Sequence, residues 1–229
     1  MPLDRDLVVT SALELLNDVG LDHFTTRKLA ERLGVKQPAL YWHFRNKREL
    51  LDEMAARMLP DRDSMSQMTA DTWMECLRDD MRRFREALLR YRDGARVHAG
   101  TRPDASVHES LDARARAMCE AGFSPDDAIR AFKTLSNYVV GAVMEEQAAI
   151  YAQRETIESA FSVGRDAHPT LTSAMELLVQ ETETGFFEFG LETMLTGLAA
   201  RLTTVTASPP SPARKRAQAT ILLAKLTHN

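Results

Sequence analysis

The stretch KQPALYWHFRNKREL, Lys36 to Leu50, places a glutamine, a proline and an alanine ahead of Tyr41, Trp42 and His43, between basic side chains. These groups can read nucleic acid. A glutamine amide bonds bidentately to an adenine edge, and Pro38 and Ala39 offer apolar contact to a thymine methyl. Tyr41 and Lys47 suit phosphate oxygens, as does the Thr26 hydroxyl at a helix start, while Arg27 is long enough to reach a guanine. Gln37, Pro38, Ala39, Tyr41, Trp42 and His43 are therefore expected to face outward, against a groove of DNA. The same aromatics also suit the core of an ordinary three-helix bundle, and Trp42 can in part be such a residue.

Charge agrees with a local nucleic-acid surface. The 229-residue chain has a formal net charge of −4, so it is not basic as a whole. Between Thr25 and Arg48, however, Arg27, Lys28, Arg32, Lys36, Arg45, Lys47 and Arg48 face one acid, Glu31. A basic patch on an acidic molecule fits phosphates, although a solvated charged face gives the same pattern.

A second set of residues has different chemistry. His98, Glu145, Asp80 and Arg114 could surround a metal in an enzyme. No nucleophile motif, Gly-rich phosphate loop or HExxH accompanies them, and an enzyme leaves the basic stretch unexplained. Catalysis is not expected. A lone histidine in a short helix is ordinarily structural. Cys76 and Cys119 lack metal-ligand spacing and read as small buried residues of a reducing compartment. Neither a signal peptide nor an apolar run of membrane-spanning length is present, so a cytoplasmic location is expected.

The elements that must position these groups read as helices throughout. Val8, Ala12, Leu15, Leu16 and Val19 line one face of a helix near Arg5–Val19, with Gly20 as its stop. Thr25 or Thr26 caps a short helix that ends at Gly34. Pro38 opens the next, expected to end near Phe44 after about two turns. Asn46 caps a longer helix to about Met58, with Glu49 placed for a capping box. Further helices are expected near Thr72–Tyr91, over a short turn within Arg92–Pro103, and near Ala105–Ala121, Pro125–Tyr151, Leu171–Val179 and Thr184–Leu202. Helix, glycine turn and short helix is the plan of a DNA-binding helix-turn-helix. The fold expected is all-α. A three-helix DNA-binding domain spans 1–46, and a larger helical domain spans 47–203 with residues 47–58 as a connecting helix. Residues 204–229 are expected to be a disordered tail.

The segment SALELLNDVGLDHFTTRKLAERLGVKQPALYWHFRNKRELLDEMA resembles the DNA-binding domain of the TetR family. TTRKLA, LGV-QP-LYWH and NKR-LLD resemble its tetracycline-responsive members in particular, and ALLRYRDGARVHAGTRP and FGLETMLTGL resemble their ligand-binding core. The likeness spans residues 3 to 203. It implies a TetR-like fold of about ten helices and a homodimer paired through Pro125–Tyr151 and Thr184–Leu202. It also implies a double-stranded palindromic operator as partner, with no membrane involved.

The resemblance further implies a small polycyclic ligand, a tetracycline or related aromatic polyketide, carrying Mg²⁺ as cofactor. His98 matches the direct metal ligand, and Thr101 and Glu145 match residues that bind the metal's waters, Glu145 from the partner subunit. Arg102 and Pro103 would line the pocket at the chelating edge, and Phe84 matches a ring contact. Ile129, Phe132, Leu171, Met175 and Leu178 would form the apolar wall. At the far end this chain departs from the pattern. The family's histidine after the connecting helix has no counterpart in PDRDSMSQM, an asparagine becomes Asp80, and a glutamine becomes Arg114, which can pair with Asp80. A carboxylate and a guanidinium read different hydrogen bonds from an amide and an imidazole. The metal end is kept and the far end rewritten.

Overall fold

Asp4 opens the first helix by accepting the Leu7 N–H at 2.8 Å. It thereby satisfies one of the donors that every helix start leaves unpaired. The computed structural model describes residues 3–59, 68–101, 105–151, 174 and 182–207. Helix α1 runs Arg5–His23, and its path breaks at Gly20. Thr25 caps α2 (Thr26–Leu33) by accepting the Lys28 N–H at 3.2 Å. Gly34 then turns the chain at φ 68°, a left-handed conformation that costs other L-residues about 1–2 kcal/mol.

Helix α3 (Gln37–Leu40) is a single turn, shorter than the two turns to Phe44 expected from the sequence. The His43 and Phe44 N–H groups both donate to the Leu40 carbonyl at 3.0 Å. Phe44 must turn into the core, where it is buried, and that pulls the chain off the helical path. Asn46 caps α4 (Lys47–Met58) through the Glu49 N–H. Glu49 returns its own bond to the Arg45 N–H at 2.8 Å, one residue earlier than an ordinary capping box.

Five more helices follow among the described residues: α5 (Trp73–Leu89), α6 (Gly94–Ala99), α7 (Ala105–Glu120), α8 (Pro125–Tyr151) and α9 (Glu183–Ala207). No strand occurs among them. The helix expected at 171–179 lies outside the described residues except for position 174. Helix α9 continues to Ala207, past the expected tail boundary at 204. No helix-breaking residue intervenes before Pro209.

Two cores form. The first holds Val8, Ala12 and Leu16 of α1, Leu29 of α2, Leu40 and Phe44, with Leu50, Met54, Ala55 and Met58 of α4. Thus α4, read as a connecting helix of the larger domain, packs into the core of the smaller one. The second core gathers Trp73, Leu77, Met81 and Phe84 of α5 with Met118, Phe132, Leu135, Val139 and Val143, and with Phe187, Leu191 and Leu195 of α9. Arginines at 78, 82 and 85, on one face of α5, pair with Glu192, Glu188 and Glu146.

The α8–α9 seam is close. The Tyr138 hydroxyl donates to the Phe187 carbonyl at 2.9 Å, and a Cβ on Gly190 would stand 2.1 Å from that hydroxyl. Gly190→Ala should therefore destabilise the fold by roughly 1–3 kcal/mol through overpacking. Urea unfolding in a double-mutant cycle with Tyr138→Ala checks this, because the penalty must shrink when the ring is removed.

Candidate functional site

The reading surface is a hydrogen-bonded row. Gln37 Nε2 donates to Thr26 Oγ1 at 2.9 Å and lies 3.4 Å from the Tyr41 hydroxyl. Thr26 is free for this because Thr25 has taken the capping role. Tyr41 is 48% exposed and Trp42 89%, so Trp42 is no part of the core. Pro38 is exposed, and Gln37, Ala39 and His43 are half-buried. Arg27 is exposed and paired with Glu31 at 2.9 Å, a contact that a guanine would have to replace. Lys47, assigned above to phosphate, donates to the Phe24 carbonyl at 2.8 Å, which leaves two of its three N–H groups for DNA.

Arg5 holds this surface from behind, and nothing in its local sequence marks it. It lies over the Phe44 ring at 4.4 Å, donates to the His43 carbonyl at 2.6 Å, and pairs with Glu49 and Glu53. The signal available was the Glu49/Glu53 pair one turn apart on α4.

Helix α6 joins the head to the body. Ala95 sits in the core of the body and Val97 in the core of the head. Around it, the Arg92 N–H donates to Asn17 Oδ1 at 2.8 Å, the Leu21 N–H donates to Asp93 Oδ2 at 2.8 Å, and Arg96 pairs with Asp22 at 2.7 Å. Asp93 holds a left-handed backbone at φ 58°, and its two carboxylate oxygens bond Leu21 and Arg96. The Asp22 hydrogen bond, and then that of Asp93, push the Arg96 guanidinium above its ordinary range.

On the body side, His98 meets Phe84 edge-on, with ring centroids 5.0 Å apart. Thr101 turns back to donate its hydroxyl to the His98 carbonyl at 2.7 Å. One turn before Phe84 on α5, Asp80 pairs with Arg114 at 3.4 Å; these residues are 5% and 4% exposed. The Arg114 guanidinium lies 5.8 Å from the buried Phe132 ring. The predicted ligand residues thus form two contact sets that share α5: His98 with Phe84, and Asp80 with Arg114 and Phe132.

Ile129 does not join this group. It is half-exposed, because α8 turns Ala128, Ala131 and Phe132 inward. Arg102, Pro103, Leu171, Met175 and Leu178 lie outside the described residues. A cavity of about 560 Å³ opens elsewhere, between the first turns of α8 and the last turns of α9, lined by Phe123, Leu135, Met194 and Leu198. It contains none of the predicted metal or far-end contacts.

Glu145 is exposed on α8, and among the described residues no three His, Cys, Asp or Glu side chains gather. One imidazole and one hydroxyl on a single turn leave most of a coordination shell to water and ligand oxygens. That fits Mg²⁺, which keeps its waters and arrives with its ligand.

Residues 8–54 match the family model for bacterial regulatory proteins of the tetR family, and residues 66–202 match the tetracyclin repressor-like C-terminal domain. The chain belongs to the TetR family. It is 50% identical to the tetracycline repressor protein class A from transposon 1721 of Escherichia coli, over 87% of this chain and 92% of that one. It is 48% identical to the class C repressor of the same organism, over 88% and 94%. Its fold is similar to that of a TetR variant from Acinetobacter baumannii AYE in complex with minocycline (TM-score 0.74, 44% identity, 86% and 94% covered). It is also similar to TetR(class A) in complex with 5a,6-anhydrotetracycline and magnesium (TM-score 0.64, 47% identity, 86% and 99% covered). In this TetR-family chain the head carries the family's helix-turn-helix and the body its C-terminal domain. Among the described residues, no helix is long and apolar enough to cross a membrane.

The Arg5–Glu49–Arg45 contacts make the head sensitive to acid. The Arg45 N–H, and next Arg5, hold the Glu49 carboxyl below its ordinary range, while burial acts in the opposite sense. A carboxyl depressed in the fold contributes stability above about pH 4.3, and that contribution is lost as pH falls through the lowered value. Glu49→Gln should flatten this part of the acid limb, as read by urea unfolding between about pH 3 and pH 6.

Proposed function

We propose that the chain is a homodimeric repressor that grips a palindromic operator when empty and lets go when a Mg²⁺-bound tetracycline, or a related aromatic polyketide, enters its body. Release would derepress an efflux or resistance gene in the cytoplasm. The observation that carries this reading is the sharing of α6 between two cores, with His98 on the same short helix as Val97. A ligand that pulls on His98 necessarily moves a residue of the head.

The exposed large apolar side chains support the dimer. Among the described residues they fall on the reading turn (Tyr41, Trp42), on α8 (Ile129, Met144, Ile150) and on α9 (Phe186, Phe189). Apolar patches of this kind mark protein–protein contacts. Pairing through α8 and α9 would set two heads about 34–36 Å apart, one turn of DNA.

When bound, Mg²⁺ supplies a Lewis-acidic anchor for the chelating oxygens of the ligand. His98 would hold it directly, and Thr101 and the partner subunit's Glu145 through water. Phe84 would stack against the rings. Asp80 and Arg114 would meet the far end, where an ion pair favours a polyketide with a different polar edge from that of the tetracyclines. A shift at His98 then reaches α4 and α1 through Val97 and the Arg92–Asp93 corner. The heads lose their spacing, and both half-sites can no longer be held at once.

The test is release from the operator in its own upstream DNA, titrated with tetracycline plus Mg²⁺ and with a panel of polyketides. Release is expected with at least one of them, and none at all would sink the pocket assignment. Excess EDTA should abolish the response; a response that survives it indicates a metal-free sensor. His98→Ala should raise the half-release concentration at least about tenfold with operator affinity intact. Tyr41→Ala and Lys47→Ala should weaken operator binding while ligand binding stays unchanged, and loss of the Lys47 phosphate contact should lower the salt slope by about one.

A further inference from the structure

The core stripe of α8 ends on a polar residue. Leu135, Val139 and Val143 follow one another at intervals of four, each fully buried, and Gln147 takes the next place at 4% exposure. A buried carboxamide is tolerated only when bonded. Here Nε2 donates to the Leu88 carbonyl at 3.2 Å and to the Tyr91 carbonyl at 2.8 Å, while Oε1 accepts the Ala95 N–H at 3.4 Å. The carbonyls lie where α5 ends, and the N–H lies where α6 begins. The Leu88 carbonyl also accepts the Tyr91 N–H at 3.4 Å and the Tyr91 carbonyl the Gly94 N–H at 2.9 Å, so Gln147 adds a second donor to each, while the Ala95 N–H, in the first turn of α6, has no acceptor within its own helix.

The corner that Gln147 spans is tight. A Cβ on Gly94 would stand 2.2 Å from the same Leu88 carbonyl, so α6 starts in contact with the end of α5. The adjacent residue, Glu146, pairs with Arg85 of α5 at 2.7 Å. Two successive residues of α8 therefore hold α5 and the start of α6, while Val97, two residues past Ala95, reaches into the head.

We infer that Gln147 is a positioning residue that gears α6 to α8, so that the angle of each head is set by the helix expected to pair the subunits. This rests on the repressor reading above. An amide suits the place because one side chain gives a donor to each of the two carbonyls and an acceptor to the Ala95 N–H. Without it α6 stays folded against Val97 and Ala95, but its angle to α8 is no longer fixed. Each head then still binds DNA, while the spacing of the two heads is lost.

The experiment compares wild type, Gln147→Met and Gln147→Glu as full-length dimers. Operator affinity is measured for the palindromic duplex that wild type selects from a random library and for its isolated half-site. Gln147→Glu keeps the size and the acceptor for Ala95 but, held protonated by burial beside two carbonyls, donates to only one of them, and it serves where Gln147→Met does not fold. In folded variants the ratio of palindrome to half-site affinity should fall at least about fivefold, the low end of ordinary site-to-site coupling. Half-site affinity and the Kd for tetracycline with Mg²⁺ should stay within about twofold. An unchanged ratio overturns the inference, as does a parallel loss on both duplexes, which marks a merely structural residue. If tetracycline with Mg²⁺ and the polyketide panel fail to release wild type, the ligand reading falls, yet the ligand-free comparison of duplexes still decides the role of Gln147.

Discussion

Helix α6 is six residues long, too short to hold its shape alone. It exists because Ala95 is clamped in one core and Val97 in another. Protein cores are close-packed and resist small displacements. A helix pinned on both sides therefore cannot absorb a push; it must pass it on. Where His98 sits and how the head is aimed both depend on that shared turn.

Leu59 also packs against the core of the body and Tyr91 against that of the head, while the polar contacts between head and body are of a kind that can be remade cheaply. Arg96–Asp22 is an exposed pair, and Arg92 with Asn17 and Leu21 with Asp93 are single hydrogen bonds near the surface. Exposed ion pairs contribute about 0–1 kcal/mol each. The seams inside each unit are heavier. Arg78, Arg82 and Arg85 lace α5 to α9 and α8, and α4 buries four apolar residues in the head. The molecule is thus two firm bodies joined by one shared turn, the Leu59 and Tyr91 packing and a rim of weak polar contacts, so that in the repressor reading proposed above a modest ligand energy would suffice to shift their orientation.

Local features were legible in the sequence because their causes are local. The left-handed Gly34, the threonine cap and the Asn46 cap each follow from a few neighbouring residues. The Asp80–Arg114 pair was foreseeable only through the family resemblance, which placed both positions at the same end of the ligand core. Features set by distant partners were not. Helix α3 stops early because Phe44 must reach a core built by α1 and α4. Gln147 reads as one more residue of a long helix, and its partners are backbone atoms 52 to 59 residues away. Its one sequence signal is a polar residue at the next step of an apolar stripe. Trp42 could be assigned to surface or core only once its neighbours were placed.

The far end of the effector core imposes its own energetic condition. Asp80 and Arg114 are buried and paired at 3.4 Å beside Phe132. Breaking a buried pair by removing one partner leaves an uncompensated charge, at a cost of about 3–5 kcal/mol. A ligand that separates them must therefore give Asp80 a donor and Arg114 an acceptor in the same step; one that leaves them joined meets an apolar wall with a closed polar seam. Neutral amides at these positions would impose no such condition, since each carries both donor and acceptor and can turn to suit. In the proposed pocket the pair would discriminate chiefly by what it penalises: molecules whose polar edge supplies only one half of the match.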